Sequence, residues 1–381
     1  MKLVLSVDPV KFPLTGIGRY TYELGRGLQP LNLDSLQFLR GYRVSSELPE
    51  PDHAQPMAST PAWKRRAQQS RVAVAAYSWI NSWLQSRALK GLADHVYHGP
   101  NFYLPRFAGR SVATFHDLSC YLWPHCHPPE RVRYMKEQIE LALQRASALI
   151  TDTEYTRQEV ARYFAWPLER IHAVPLASAA EFHPRTPVQL QPVLATLGLE
   201  AGGYTLYAGT IEPRKNIATL LDAYAQLAPS LRQQWPLVIA GYRGWNSAAL
   251  HERLQQGQAA GWVRYLGYVD HGVLPHLMAG ARLFAYPSWY EGFGLPVLEA
   301  MASGVPVVCS NASTLPEVAA NAPLFHDPAD TDALRQALQI GLHDDAWRAQ
   351  ARAEGLRQAG RFSWQRCAQQ TLQVYRTVLA G

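Results

Sequence analysis

The sequence predicts an α/β protein built from two doubly wound parallel-sheet domains that face a central cleft, and three observations carry that prediction. At 381 residues and 48% apolar composition, the chain exceeds what one ordinary hydrophobic core accommodates. Short apolar runs ending in glycine alternate with segments of helical periodicity, as parallel strands joined by crossover helices do. Pro175, Pro184, Pro187 and Pro192 cluster midway and mark residues 180–195 as a linker, which divides the chain at residues 185/186.

Taken in order, Lys2 to Asp8 reads as a buried first strand, PVKFPLTGIG as a loop, and Arg19 to Leu28 as a helix. Gly16 and Gly18 in that loop resemble two thirds of a dinucleotide fingerprint, but Thr21 stands where the third glycine belongs. A flexible turn lining a cleft is the simpler reading. Residues 47–61 are rich in Pro, Ser and acids and read as an exposed loop. Residues 62–90 then carry Lys64, Arg65, Arg66, Arg71, Arg87 and Lys90 without a single acid, while Val72, Ala76, Trp79, Ile80, Trp83 and Leu84 recur at helical spacing. This is either a helix on an anionic lipid surface or a surface helix burying its tryptophans in its own domain.

Val112 to Phe115 forms a strand ending at His116 and Asp117, and the carboxyl end of a strand is where open α/β sheets place ligand chemistry. Cys120, His125, Cys126 and His127 lie close by, but their spacing lacks the second half of a zinc site. Residues 130–147, Ala148 to Thr153 and Glu154 to Phe164 continue as helix, strand and helix. Beyond the linker come strands at Tyr204 to Ala208, Leu237 to Ala240, Val263 to Leu266, Ala281 to Tyr286 and Val305 to Cys309, with a helix from Ile217.

Two stretches carry chemistry. In Tyr286 to Glu299, YPSWYEGFGLPVLE, two carboxylates bracket a Gly292/Gly294 turn and Pro296 opens a helix. A helix N-terminus suits phosphate, whereas carboxylates only accept hydrogen bonds and so suit hydroxyls; a ligand with both groups, a nucleotide sugar, satisfies the stretch. Arg214 and Lys215 follow a strand and precede a helix, which sets two cations at the edge of the sheet where a diphosphate could be held.

GTIEPRKN (Gly209 to Asn216) with EGFGLPVLEAMASGVPVV (Glu291 to Val308) resembles glycosyltransferase family 4, the retaining GT-B enzymes with an E-x7-E motif. TGIGRYTYEL (Thr15 to Leu24) and His116-Asp117 resemble the N-terminal domain of members that use GDP-mannose or a GDP-deoxyhexose in bacterial polysaccharide assembly. The resemblance implies a GT-B fold, with residues 1–185 on the acceptor side, residues 186–362 binding the donor, and residues 363–381 as a helix crossing back. It implies that Arg214 and Lys215 bind the donor diphosphate, Glu291 the transferred sugar and Glu299 the ribose. Gly209 and the run Gly292, Phe293, Gly294 and Leu295 would line the donor site, Gly16 and Gly18 would close from the other domain, and His116 would stand near the reacting sugar with Asp117 on the acceptor side. It further implies no cofactor and no metal. Asp330-Thr331-Asp332, the one Asp-x-Asp, reads more simply as a helix N-cap.

The net charge of +6 lies wholly in residues 1–185, with 22 basic against 16 acidic residues, whereas residues 186–381 hold 14 of each. No nucleic-acid module accompanies it, so an anionic membrane surface is the partner this charge suggests, while the resemblance implies a nucleotide sugar and a lipid-linked glycan. No run approaches the length of a membrane span, the start is unlike a leader peptide, and four scattered cysteines suggest free thiols. The expected location is therefore cytoplasmic, peripheral on the inner membrane. Two alternatives remain on these residues: an epimerase or phosphorylase of the same architecture, or a sugar-nucleotide-binding partner without activity.

Overall fold

A computed structural model describes all residues except 15, 51–79 and 81. The N-terminal sheet has seven strands: β1 (Lys2–Ser6), β2 (Ser35–Arg40), β3 (Arg43–Ser45), β4 (Val96–Gly99), β5 (Arg110–Phe115), β6 (Ala148–Thr151) and β7 (Ile171–Ala173). They lie in the order β3-β2-β1-β4-β5-β6-β7, all parallel except the short edge strand β3. The C-terminal sheet has six: β8 (Thr205–Ala208), β9 (Leu237–Ala240), β10 (Val263–Gly267), β11 (Leu283–Tyr286), β12 (Val307–Ser310) and β13 (Leu324–His326). Their order is β10-β9-β8-β11-β12-β13, all parallel.

Burial on both faces explains why these strands read as continuous apolar runs. Side chains still alternate. Leu3, Leu5, Val112 and Ile150 pack with Tyr20 and Leu24 in one core, while Val4, Ala113, Phe115 and Leu149 face the other way onto Ile139 and Val160. The helix Gly16–Leu28 buries Tyr20, Leu24 and Leu28 and meets the C-terminal helix Trp364–Ala380 at Gly27, where a Cβ would stand 2.7 Å from that of Ala368. The C-terminal helix is pinned to the N-terminal sheet by Tyr375, whose hydroxyl is 2.6 Å from His98 Nδ1.

Residues 180–195 are not all linker. Pro187–Thr196 is a helix with Pro187 in its first turn, started by a capping box in which Thr186 and Gln189 bond reciprocally. Proline in a first turn gives up an N–H that would be unpaired anyway, so the proline cluster partly encodes a helix start. The basic segment 62–90 lies outside the described residues as far as 79. Of the remainder, residues 82–88 are helical, Ile80 and Trp83 are exposed, and Arg87 lies over the Trp83 ring. All four cysteines are buried free thiols.

Candidate active site

Strand order reverses between β8 and β11 in the C-terminal sheet, so the loops leaving their carboxyl ends run to opposite sides and open a crevice. Arg214 and Lys215 leave one of these strands and the Glu291 loop leaves the other. After β8 the chain makes a 3-10 turn, Pro213–Lys215, closed by Asn216 in the left-handed region with φ 56°. Asn216 Nδ2 donates to Pro287 O at 3.0 Å and Pro328 O at 2.8 Å, tying the turn to the end of β11. A Cβ on Gly241 would stand 1.8 Å from Gly209 O, so the ends of β8 and β9 can approach this closely only with glycine at position 241.

Within that frame, Lys215 Nζ donates to Glu291 Oε1 at 2.6 Å and to the Tyr286 hydroxyl at 3.0 Å. Arg214 donates to Tyr290 O at 2.6 Å and Glu212 Oε1 at 2.9 Å, and lies 3.5 Å from Glu291 Oε2. All four charged groups are buried. Burial works to raise the Glu291 pKa, but Lys215 and then Arg214 outweigh it, and the carboxyl is held below its ordinary value. Burial likewise disfavours the Arg214 cation, yet Glu291, Asp117 and Glu212 together hold it above its usual range. Arg214 Nε and Glu212 Oε2 are buried without a hydrogen-bond partner among the described residues, which leaves polar capacity for a ligand.

The N-terminal domain supplies His116 and Asp117 from the end of β5. His116 Nδ1 lies 2.7 Å from Asp152 Oδ2, and Nε2 donates to Pro100 O at 2.9 Å. Burial disfavours an imidazolium here, but the Asp152 carboxylate outweighs it and the ring pKa rises. Both ring nitrogens are thus engaged inside the N-terminal domain, so the backbone rather than the ring meets the other domain: a Cβ on Gly292 would stand 1.8 Å from His116 O. Asp117 accepts from Ser119 N at 2.8 Å, and although burial opposes its charge, Arg214 across the cleft keeps its pKa below the ordinary value.

The other glycine-loop residues divide. Gly294 sits at φ 92° as the N-cap of the helix Leu295–Ala302, and a Cβ there would meet Leu315 at 2.4 Å. Phe293 turns away and packs edge-on against Phe362 at 5.8 Å. Leu295 and Glu299 are half-buried, and while the Glu299 backbone carbonyl accepts from Ser303 N at 3.0 Å, its carboxyl accepts no hydrogen bond among the described residues. Burial pushes its carboxyl up to about 8; Arg19 lowers it and Glu181 raises it, both from the opposite domain. Gly16 and Gly18 open the helix that carries Arg19, and Gly18 is demanded by Pro9 O, 2.7 Å from its Cβ position.

The family models for "Glycosyl transferases group 1" and "Glycosyl transferase 4-like domain" match residues 199–358 and 15–177, one per domain. An O-antigen chain mannosyltransferase B of Escherichia coli is 42% identical over 99% of this chain and all of its own. The chain is a group 1 glycosyltransferase. This glycosyltransferase is also 30% identical, over 71% of its length, to the E. coli serotype-specific mannosyltransferase WbdA, of which the match spans 34%. Its GT-B fold is shared with a sucrose-phosphate synthase of Thermosynechococcus elongatus (TM-score 0.72, 20% identity, all of both chains). WaaG, a glycosyltransferase of lipopolysaccharide biosynthesis, superposes with TM-score 0.69 at 16% identity over 97% of this chain and 98% of its own.

Several residues of the glycosyltransferase's site escape sequence reasoning. Asp152 directly follows β6 as His116 and Asp117 follow β5, so strand-end position was an available signal. Ser313 and Thr314 hold the peptide of Glu291: Glu291 N donates to Ser313 Oγ at 2.9 Å and Thr314 Oγ1 donates to Glu291 O at 3.1 Å. Tyr290 bonds Leu118 N and Glu159 of the other domain. Only the folded chain brings these together.

Proposed function

We propose that this glycosyltransferase moves a mannosyl or rhamnosyl unit from a GDP-sugar to a lipid-linked glycan in bacterial lipopolysaccharide assembly, with retention of configuration and without a metal. The observation that carries the chemistry is the buried cluster of Arg214, Lys215 and Glu291 at the switch point of the C-terminal sheet. Two fixed cations there can neutralise a departing diphosphate in a site of low polarity, where each interaction is strong. A carboxylate already paired with both cations serves as an acceptor for sugar hydroxyls rather than as a proton donor. The departing phosphate is then the base for the incoming hydroxyl, which keeps attack and departure on one face. His116 O and the Gly292 peptide close over that face. The 42% identical mannosyltransferase supports the choice of sugar and pathway.

Among the described residues no helix is long and apolar enough to cross a membrane. Exposed Ile80 and Trp83 beside Arg87 and Lys90 support a peripheral position at an anionic surface.

The test is a thermal-shift panel of GDP, UDP, ADP and their sugars, followed by transfer assays. A ligand that binds only the native state raises its melting temperature, and GDP-mannose or GDP-rhamnose should give the largest rise. Lys215→Ala and Glu291→Ala should each lower turnover about a hundred-fold, the scale of losing a preorganised charge at the reacting centre. A UDP preference overturns the donor; unchanged turnover in both variants overturns the site.

A further inference from the structure

The Glu291 loop is docked on the opposite domain against the residues after β5 and against the helix Glu154–Phe164. Thr153 caps that helix and, with Thr156, reaches Gly292 O (Oγ1 to O 3.4 and 3.3 Å). Tyr290 donates its hydroxyl proton to Glu159 on the same helix and accepts from Leu118 N at 3.0 Å. At the helix start, the backbone N–H groups of Glu154 and Tyr155 have no intrahelical acceptor. Glu317, more than 160 positions away in sequence, takes both: Oε1 accepts from Glu154 N at 2.7 Å and Oε2 from Tyr155 N at 2.9 Å. The carboxylate of one domain thus completes the N-terminus of a helix in the other, where orphan donors and the helix dipole both favour an anion.

Glu317 lies on the short helix Leu315–Ala319, directly after Ser313 and Thr314. Those two residues hold the N–H and C=O of Glu291. The five residues Ser313 to Glu317 therefore link the clasp between domains to the peptide of Glu291.

We infer that Glu317 is a positioning residue for transfer: its clasp on the helix Glu154–Phe164 sets the closed alignment of the Glu291–Gly292 loop against His116. The inference rests on the glycosyl-transfer reading of the site. It separates two steps that the site residues combine. Arg214, Lys215 and Glu299 belong to the C-terminal domain and can hold a nucleotide with the domains apart, whereas alignment for transfer needs the domains registered. Loss of the clasp should therefore spare nucleotide binding and slow turnover.

The test compares the whole protein with Glu317→Ala and Glu317→Gln. Glu317 is exposed, so truncation leaves both cores intact. Turnover by Glu317→Ala should fall about ten-fold while GDP affinity stays within about two-fold, the scale of losing two charge-assisted bonds to a partly solvated helix end. Glu317→Gln keeps one acceptor and should fall between. Amide exchange at Glu154 and Tyr155 should accelerate in Glu317→Ala whether or not the sugar donor has been assigned correctly. Wild-type turnover, unchanged exchange at those amides, or a parallel loss of GDP affinity would each overturn the inference. Absence of transfer by the wild-type protein with any GDP-sugar overturns the functional reading instead, and the exchange measurement still decides the clasp.

Discussion

Glu291 and Glu299 stand eight positions apart, yet their environments drive them in opposite directions. Glu291 meets two cations, which keep it ionised although buried. Glu299 has no such partner, and burial pushes it up to about 8. The folded state therefore holds a proton on Glu299 over a pH range in which the unfolded chain, with an ordinary carboxyl near 4.5, has lost it. Stability contributed by this group is present at low pH and declines as pH rises toward 8. The neutral isostere Glu299→Gln should match the wild-type melting temperature near pH 5, to order of magnitude, and exceed it increasingly by about pH 9. A difference independent of pH would show that Glu299 does not titrate this way. Ribose hydroxyls donate to a carboxylate, so nucleotide binding should favour the ionised form and release a proton near neutral pH. Isothermal titration in buffers of different ionisation heat measures that proton directly.

At the scale of elements, legibility in the sequence followed unbroken apolar composition rather than burial, since β4 is as buried as β8. β1, β8, β9 and β11 are continuous apolar runs and could be placed to within a residue or two. β2 and β4, SLQFLR and VYHG, interleave polar residues that the structure satisfies by contacts from afar, as Tyr375 does for His98, so their pattern gave no strand signal. The Arg214–Lys215 turn and the glycine loop were legible because their chemistry is local. Ser313 and Glu317 were not, because each acts through a partner that only folding brings near. Gly292 shows the limit in one residue. Its value at sequence level is a flexible turn, but its structural requirement is the carbonyl of His116 at 1.8 Å from any Cβ. That neighbour is backbone and cannot rotate aside. Gly292→Ala should force the domains apart or shift the loop, and a misplacement of about 1 Å at a reacting centre can cost a hundred-fold in turnover. GDP binding, which the proposed reading assigns to the C-terminal domain, should persist by thermal shift. Turnover within about two-fold of wild type would mean the close contact is not used in transfer.

Over the whole molecule the two domains divide the charge unequally, with the excess of +6 in residues 1–185 and none in residues 186–381. Arg214 and Lys215 lie in the neutral half and are already paired there with carboxylates, so on the proposed reading the surplus is not what attracts the nucleotide. On the proposed reading its place is the acceptor side. The lipid-linked glycan proposed as acceptor would be confined to a membrane surface, and a basic domain with an exposed Trp83 would share that plane with it. Basic side chains near an anionic surface contribute about 1 kcal/mol each, roughly five-fold in partitioning, and the attraction is screened within a Debye length. The protein should therefore float with vesicles containing anionic lipid, release as salt rises, and ignore neutral vesicles. Arg87→Glu with Lys90→Glu should weaken flotation by more than ten-fold on that scale, while turnover on a short, lipid-free acceptor stays at the wild-type value. Equal binding to neutral and anionic vesicles would remove the electrostatic account and leave the tryptophan alone to explain any attachment.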